Sequence, residues 1–288
     1  MQRARDNCAR VLSTALLMIV IAGCATTMSQ SFSGNIAHAI LNQNDPETVR
    51  AGAPAFMLLL DGFIADNPRQ RDLLRGGADL YGVYATVFVE DRDRAQRLAR
   101  KSLDYARAAL CAKGSAACGQ LDQHYADFTG SVGDFGKDDI GYLFSFAAAW
   151  ANWIHLNRDD WMLMADLAKV NALMHRVVEL DPAWKLGRAQ LYLGVINSQL
   201  PAALGGLPEH GREHFEKALA SSAGRDLAGK VEYARHYARL VFDQDLHDRL
   251  LREVLAADPV FTDLTLSNVI AQQQARQLLE SSNEYFEE

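Results

Sequence analysis

The chain has 288 residues, 49% hydrophobic and 23% charged, with 29 Lys and Arg against 36 Asp and Glu and a net charge of −7. That length and apolar content suffice for a packed core and exclude a disordered chain, a collagen-like chain and a polytopic membrane protein. The acidic balance argues against a cationic face for nucleic acid, and 7 prolines with 20 glycines are few for an all-β sandwich of this size.

Arg3, Arg5 and Arg10 precede an apolar run from Val11 to Ala22. At about 1.5 Å per residue this run falls short of a bilayer core of roughly 30 Å. A basic start, a short apolar core and small residues after it read as a secretory signal peptide over residues 1–23. Ile21-Ala22-Gly23-Cys24 resembles the bacterial lipobox, so Cys24 is expected to carry diacylglycerol and residues 24–44 to form a lipid-anchored linker. Ala25, where an aspartate would retain the protein at the inner membrane, points to the periplasmic face of the outer membrane. Cleavage removes three arginines, Asp6 and Cys8. With Cys24 modified, Cys111 and Cys118 remain, and export permits a disulfide between them. Their Ala-Lys-Gly-Ser-Ala-Ala spacer can close, worth roughly 2–3 kcal/mol in the chain-entropy model. Two reduced thiols with a catalytic or metal role are the alternative, with no CxxC or nearby histidine to support it.

From Asp45 onward apolar residues recur at three- and four-residue spacing, which predicts an all-α fold in a single domain over residues 45–288. Over Asp93–Leu110, Ala95, Leu98, Ala99, Ser102, Leu103, Ala106, Ala109 and Leu110 share one face, with Arg94, Arg97, Arg100, Lys101 and Arg107 largely off it. The arginine stripe is a solvated face or, less commonly, a binding surface. Asn67-Pro68, Asp181-Pro182 and Asp258-Pro259 mark helix stops, because proline disfavours helical geometry in the residue before it. Cys111–Asp139, rich in glycine and aspartate, is expected to be the largest irregular stretch. Leu173 and Val177 before Pro182, Leu250 and Val254 before Pro259, and Gly211, Phe215 and Ala218 resemble the second helix of a tetratricopeptide repeat. Leu193-Gly194 echoes the pair that allows close packing in the first helix. The stops are unevenly spaced, so the expected architecture is an irregular tetratricopeptide-like solenoid or bundle of helix pairs, whose concave face normally binds.

Tyr142, Phe144, Phe146, Trp150, Trp153 and Trp161 cluster on the middle helices, with Asn152, His155 and Asn157 interleaved. Aromatic residues mostly fill helix interfaces, but some can line a pocket whose polar neighbours orient a ligand. The candidate ligand-lining set is Phe144, Trp150, Asn152, Trp153, Tyr192, Tyr233, Arg235 and Tyr237. Around the last three, Tyr233, Arg235, His236, Tyr237 and Arg239 make a polar-aromatic helix. Its arginines either grip a carboxylate or bridge to an acid on the next helix.

Three short matches carry less weight. Gly224 through Gly229-Lys230 has phosphate-loop spacing, but Val231 stands where the magnesium-binding hydroxyl belongs, and the segment follows a helix. His210, Glu213 and His214 spell HxxEH, the pattern of an inverted zinc peptidase, with Glu232 or Glu253 available as a third ligand. The competing reading is the outer side of a helix whose inner side is Phe215, Ala218 and Leu219. Asp134, Asp138 and Asp139 lack the order of a calcium loop, and a capping role for Asp138 or Asp139 before Ile140 is favoured. No cofactor is expected.

Several strings together resemble the T component of tripartite (TRAP) transporters, the TatT family of periplasmic lipoproteins. They are Phe56-Met-Leu-Leu-Leu-Asp61-Gly62, Phe88-Val-Glu-Asp91 with Arg94-Ala-Gln-Arg97, Leu200-Pro-Ala-Ala-Leu-Gly-Gly206-Leu-Pro208-Glu209, and Tyr233-Ala-Arg235-His-Tyr-Ala-Arg239-Leu-Val-Phe-Asp243. Leu246-His-Asp-Arg-Leu250 and Ala256-Ala-Asp-Pro259 continue the likeness, which runs from about Asp45 to Leu279. The resemblance implies a non-enzymatic lipoprotein that partners a periplasmic solute-binding protein. It also implies an apolar cavity for a small hydrophobic or organic-acid solute, and a small ring-like homo-oligomer such as a trimer. A carrier that passes a lipid or sterol between membranes is the alternative, and a zinc hydrolase a more distant one.

Overall fold

Aspartate side chains start several of the helices. In the computed structural model, which describes residues 36–114, 118–119 and 121–287, Asp45 accepts from the Glu47 amide at 3.0 Å ahead of α1 (Pro46–Asp66), whose first residue is a proline. Such a cap satisfies an amide that the helix itself leaves free. Asp91 does the same for α3 (Arg92–Cys111), after α2 (Arg71–Val87). The signal peptide and Cys24 lie outside the described residues. α1 stops just before Asn67-Pro68, as proline geometry requires.

Besides a short 3-10 turn over Lys137–Asp139, the stretch expected to be irregular contains an α-helix, α4 (Tyr125–Val132). Phe128 and Val132 are one turn apart on its inner side and buried, which holds this short helix onto the core. Cys111 and Cys118 are joined by a disulfide at the end of α3. Next come α5 (Ile140–Leu156), the short α6 (Trp161–Ala165) started by Asp160, and α7 (Leu167–Leu180), which ends before Asp181-Pro182. Asp139 does not cap α5 with its side chain. Its carboxylate instead meets Arg71 at 3.0 Å and Lys113 at 3.7 Å.

α8 (Trp184–Asn197) opens with a turn in which Lys185, Leu186 and Gly187 all have left-handed backbone, φ 45°, 60° and 77°. α9 (Pro208–Ser222), α10 (Leu227–Glu232) and a π-helical segment over Tyr233–Ala238 follow. The chain ends with α11 (Gln244–Ala256), α12 (Thr265–Glu280) and α13 (Ser282–Glu287). The fold is all-α, with no strand among the described residues.

Neighbours along the chain are neighbours in space: α1 packs on α2, α2 on α3, α3 on α5, α5 on α7, α7 on α8 and α8 on α9. α2 also packs directly on α5, and α8 on the π segment. The first and last parts of the array touch. Leu266 of α12 shares a core with Val49, Met57 and Tyr81, and His38 Nδ1 lies 2.8 Å from an Asp263 oxygen. A larger core joins α2–α8 through Leu110, Phe128, Leu143, Val170, Leu173 and Leu193, and another joins α8–α12 through Phe215, Val231, Leu251 and Ala275. Contacts run from α2 to α5, from α5 to α8 through Phe144 against Trp184 and Tyr192, and from α8 to the π segment.

Candidate solute recess

Helical spacing sorts the residues along these contacts. On α2 Asp79, Val83, Thr86 and Val87 fall on one side and all are exposed, although the opposite side of the same helix is buried. On α5 Phe144, Ala148, Asn152 and His155 form a partly exposed stripe along a helix otherwise sunk in the core. α8 contributes Lys185, Arg188 and Tyr192, and Glu232, Arg235 and His236 come from the end of α10 and the π segment. The stripes meet. Phe144 lies 4.8 Å from the Trp184 ring and 5.6 Å from the Tyr192 ring, the latter edge-on.

Water reaches these groups, yet protein surrounds them. Asp79 is exposed, and nevertheless burial pushes its carboxyl up, against the opposing influence of Ser145, Lys185 and Arg75. Lys185 is exposed, and burial pushes its ammonium down, with Asp79 opposing. Surrounding protein thus disfavours charge on both groups although each side chain keeps contact with solvent. Burial likewise raises the Tyr192 phenol and lowers His155. For Glu232 burial acts upward, but the His236 hydrogen bond, then Arg235 and the charge of His236, prevail and hold the carboxyl low. Glu232 is met by Arg235 at 2.7 Å and by His236 Nε2 at 3.1 Å.

Of the residues singled out from sequence, the fold brings Phe144, Asn152, Tyr192 and Arg235 to this recess. Trp150 is placed in the central core, 8% exposed, against Phe128 and Phe146. Trp153 is partly exposed, under the Arg100 guanidinium at 5.8 Å. Tyr233 is buried against Phe215, and buried Tyr237 donates its hydroxyl to Glu209 at 2.9 Å, tying the π segment to α9. The acid that Arg235 meets is on its own helical segment, not on the next helix. It is Arg239 that reaches across, donating to Ser281 at 3.1 Å. Trp161 is 78% exposed on α6. The stripe on α3 is tied down by local ion pairs, Arg100 with Asp104 and Arg107 with Asp122.

Sequence reading missed Asp79, Lys185, Arg188 and Trp184. A single aspartate on the polar side of an amphipathic helix looks like a solvated surface residue, and nothing local separates the two. A separate open depression of about 260 Å³, lined by Tyr125, Leu167, Ala168, Asn171 and Ile196, has no charged group to offer a solute.

The HxxEH residues do not converge. His214 Nδ1 lies 2.6 Å from Gln190 Oε1, Glu213 is 3.7 Å from Lys217, and no group of three metal-ligating side chains occurs among the described residues. Burial, aided by His175 and Lys217, pushes His214 down to about 4. A histidine depressed on folding disfavours the protonated folded state, so stability falls as pH drops from about 6.5 toward 4. His214→Gln is expected to flatten the dependence of Tm on pH over that window, which thermal melts between pH 7 and 4 would show. In the phosphate-loop-like segment, Lys230 is held by Glu253 at 2.7 Å and Asp226 by Arg188 at 2.9 Å.

The described chain defines an all-α protein in which rings of α5 and α8 meet near charged groups of α2, α8 and the π segment. Residues 42–286 match the TRAP transporter T-component family, and the chain belongs to that family. It is accordingly an accessory component of TRAP transport, in a periplasmic, membrane-associated setting. No curated protein matches its sequence.

Proposed function

We propose that this T component is a non-enzymatic lipoprotein that docks a periplasmic solute-binding protein and holds the transported solute in its recess. Lipid on Cys24 anchors it at the periplasmic side of the outer membrane, and a small ring-like homo-oligomer is compatible with that role. The observation that carries the reading is the family match over nearly all the described chain, joined to a recess whose walls come from α2, α5, α8 and the π segment. The Phe144–Trp184–Tyr192 wall can cover the apolar part of a solute, while the ionic groups orient its polar part. Those ionic groups oppose the lipid or sterol alternative, because an apolar ligand would strip water from them without replacing its hydrogen bonds.

The full chain, tagged and purified, is expected to retain the co-encoded solute-binding protein in stoichiometric amount. Retention no greater than that of an unrelated lipoprotein would remove the docking reading. Cys24→Ser is expected to move the protein from the membrane to the soluble periplasmic fraction, and continued membrane association would remove the lipid anchor.

A further inference from the structure

We propose that the recess binds a small zwitterion of the amino-acid type, Asp79 taking the ammonium group, Lys185 the carboxylate, and the Phe144–Trp184–Tyr192 wall the apolar body. This rests on the solute-binding reading and adds the chemical class of the solute. The other charges near the recess are matched within the protein. Arg188 pairs with Asp226 at 2.9 Å, Arg75 with Asp72 at 3.4 Å, and Arg235 and His236 with Glu232. Asp79 and Lys185 are not matched: neither has a salt-bridge partner within 4.0 Å among the described residues. Their helices meet at one point of α5, since a Cβ on Gly141 would stand 2.5 Å from Arg75, one turn before Asp79 on α2, and 3.8 Å from Trp184, the residue before Lys185.

The surroundings keep the two apart. Lys185 Nζ rests over the Trp184 ring, 4.9 Å from its centre, and its backbone is held in the left-handed turn that continues through Leu186 and Gly187. Left-handed geometry in two successive residues other than glycine is strain that surrounding structure must maintain. Ser145, 2% exposed, lies beside Asp79 and is the neighbour that most favours its ionised form. The recess therefore presents an acid and a base without ion-pair partners among the described residues, beside three rings. An organic acid without an amine would leave Asp79 facing it unmatched, and an amine without an acid would leave Lys185 so. A molecule with both charges satisfies both.

Isothermal titration calorimetry at pH 7 on the purified full chain tests this with a matched set: L-phenylalanine, phenethylamine, which lacks the carboxylate, and 3-phenylpropionate, which lacks the amine. L-Phenylalanine is expected to bind at least tenfold more tightly than either partial analogue. Asp79→Asn should bring it down to the level of 3-phenylpropionate, and Lys185→Gln to the level of phenethylamine. Asp79→Glu and Lys185→Arg should keep part of the preference, and far-UV circular dichroism checks that every variant is folded. Equal affinity for the acid and the amino acid, a preference that survives both charge removals, or no binding of any of the three overturns the inference. Capture of the solute-binding protein by the same preparations separates the two readings. Docking without zwitterion preference removes only this inference, and zwitterion binding without docking removes only the docking role.

Discussion

Replacing Phe215 by alanine is expected to lower the unfolding free energy by about 3–5 kcal/mol, the range for deleting a fully buried ring. Phe215 has no exposed surface, stacks on Tyr233 with ring centres 5.0 Å apart, and faces Gly194 across the α8–α9 contact. The side that would have to collapse into the cavity is backbone: a Cβ on Gly194 would stand 2.9 Å from the Phe215 ring. Gly211 of α9 shows the same closeness from the other side, since a Cβ there would lie 2.2 Å from Ser198 Oγ and 3.1 Å from the Gly194 carbonyl. Two helices that touch through glycines cannot move further together, so the hole stays open. Urea unfolding followed by circular dichroism measures the change as a lower midpoint at unchanged slope. Gly194→Ala, by overpacking the same contact, should cost about 1–3 kcal/mol. Gly194→Ala combined with Phe215→Leu should cost less than the sum of the two single changes, because the smaller side chain gives the new methyl room. A Phe215→Ala variant as stable as the parent would contradict the α8–α9 contact as described.

Asp61→Ala is expected to cost about 2 kcal/mol, because it strips one acceptor from three donors at once. The Tyr81 hydroxyl donates to Asp61 at 2.7 Å, that of Tyr105 at 2.8 Å, and Lys101 Nζ reaches it at 2.5 Å. Tyr81 is 4% exposed, so its hydroxyl has little access to water as a replacement. The estimate stays modest because Lys101 and Asp61 keep partial contact with solvent, which screens their attraction. Burial alone would push the Asp61 carboxyl up. The hydrogen bonds from Lys101, Tyr81 and Tyr105, with the Lys101 charge, outweigh it and hold the group below the usual aspartate value. A carboxylate depressed on folding stabilises the protein at pH above its unfolded pKa, and that contribution is lost as pH falls through its folded value. The gap in stability between parent and variant should therefore be full at pH 7 and narrow below about pH 4. A gap independent of pH would show that the ionised form of Asp61 is not what the tyrosines hold. Asp61→Asn should recover part of the loss, since an amide oxygen still accepts from one tyrosine.

Much of the candidate site was half legible. Phe144 and Tyr192 can be picked from the sequence as rings on middle helices, but so can Trp150, and only packing distinguishes a ring on the wall from one in the core. Trp150 sits six residues beyond Phe144 on α5, about one and two-thirds turns, which rotates it roughly 120° away and onto the buried side. Tyr233 and Tyr237 are one turn apart, and in the π segment both turn away from solvent, toward Phe215 and Glu209. Arg235 between them was legible as unusual, whereas its partner Glu232 was a spare acid until the helix was built. The α4 helix was missed because its short length and several glycines nearby weaken any periodic signal, and contacts from Phe128 and Val132 to distant parts of the chain decide its existence.

The sequence by itself determined the elements: helices with one apolar side, stopped at Pro68, Pro182 and Pro259 and started by Asp45, Asp91 and Asp160, with glycines where α8 and α9 must meet. Those features are local, set by backbone sterics, capping bonds and the periodicity of a helix, so neighbouring residues are enough to read them. Only the tertiary structure decided that Asp79, Phe144, Lys185 and Glu232, far apart along the chain, come together. It also decided that the end of the array folds back on its beginning through Asp263 and Leu266. The reason is that a charged residue on a helix costs the same locally whether it faces bulk water or a walled recess. The difference arises only when distant helices close around it and the dielectric it experiences falls.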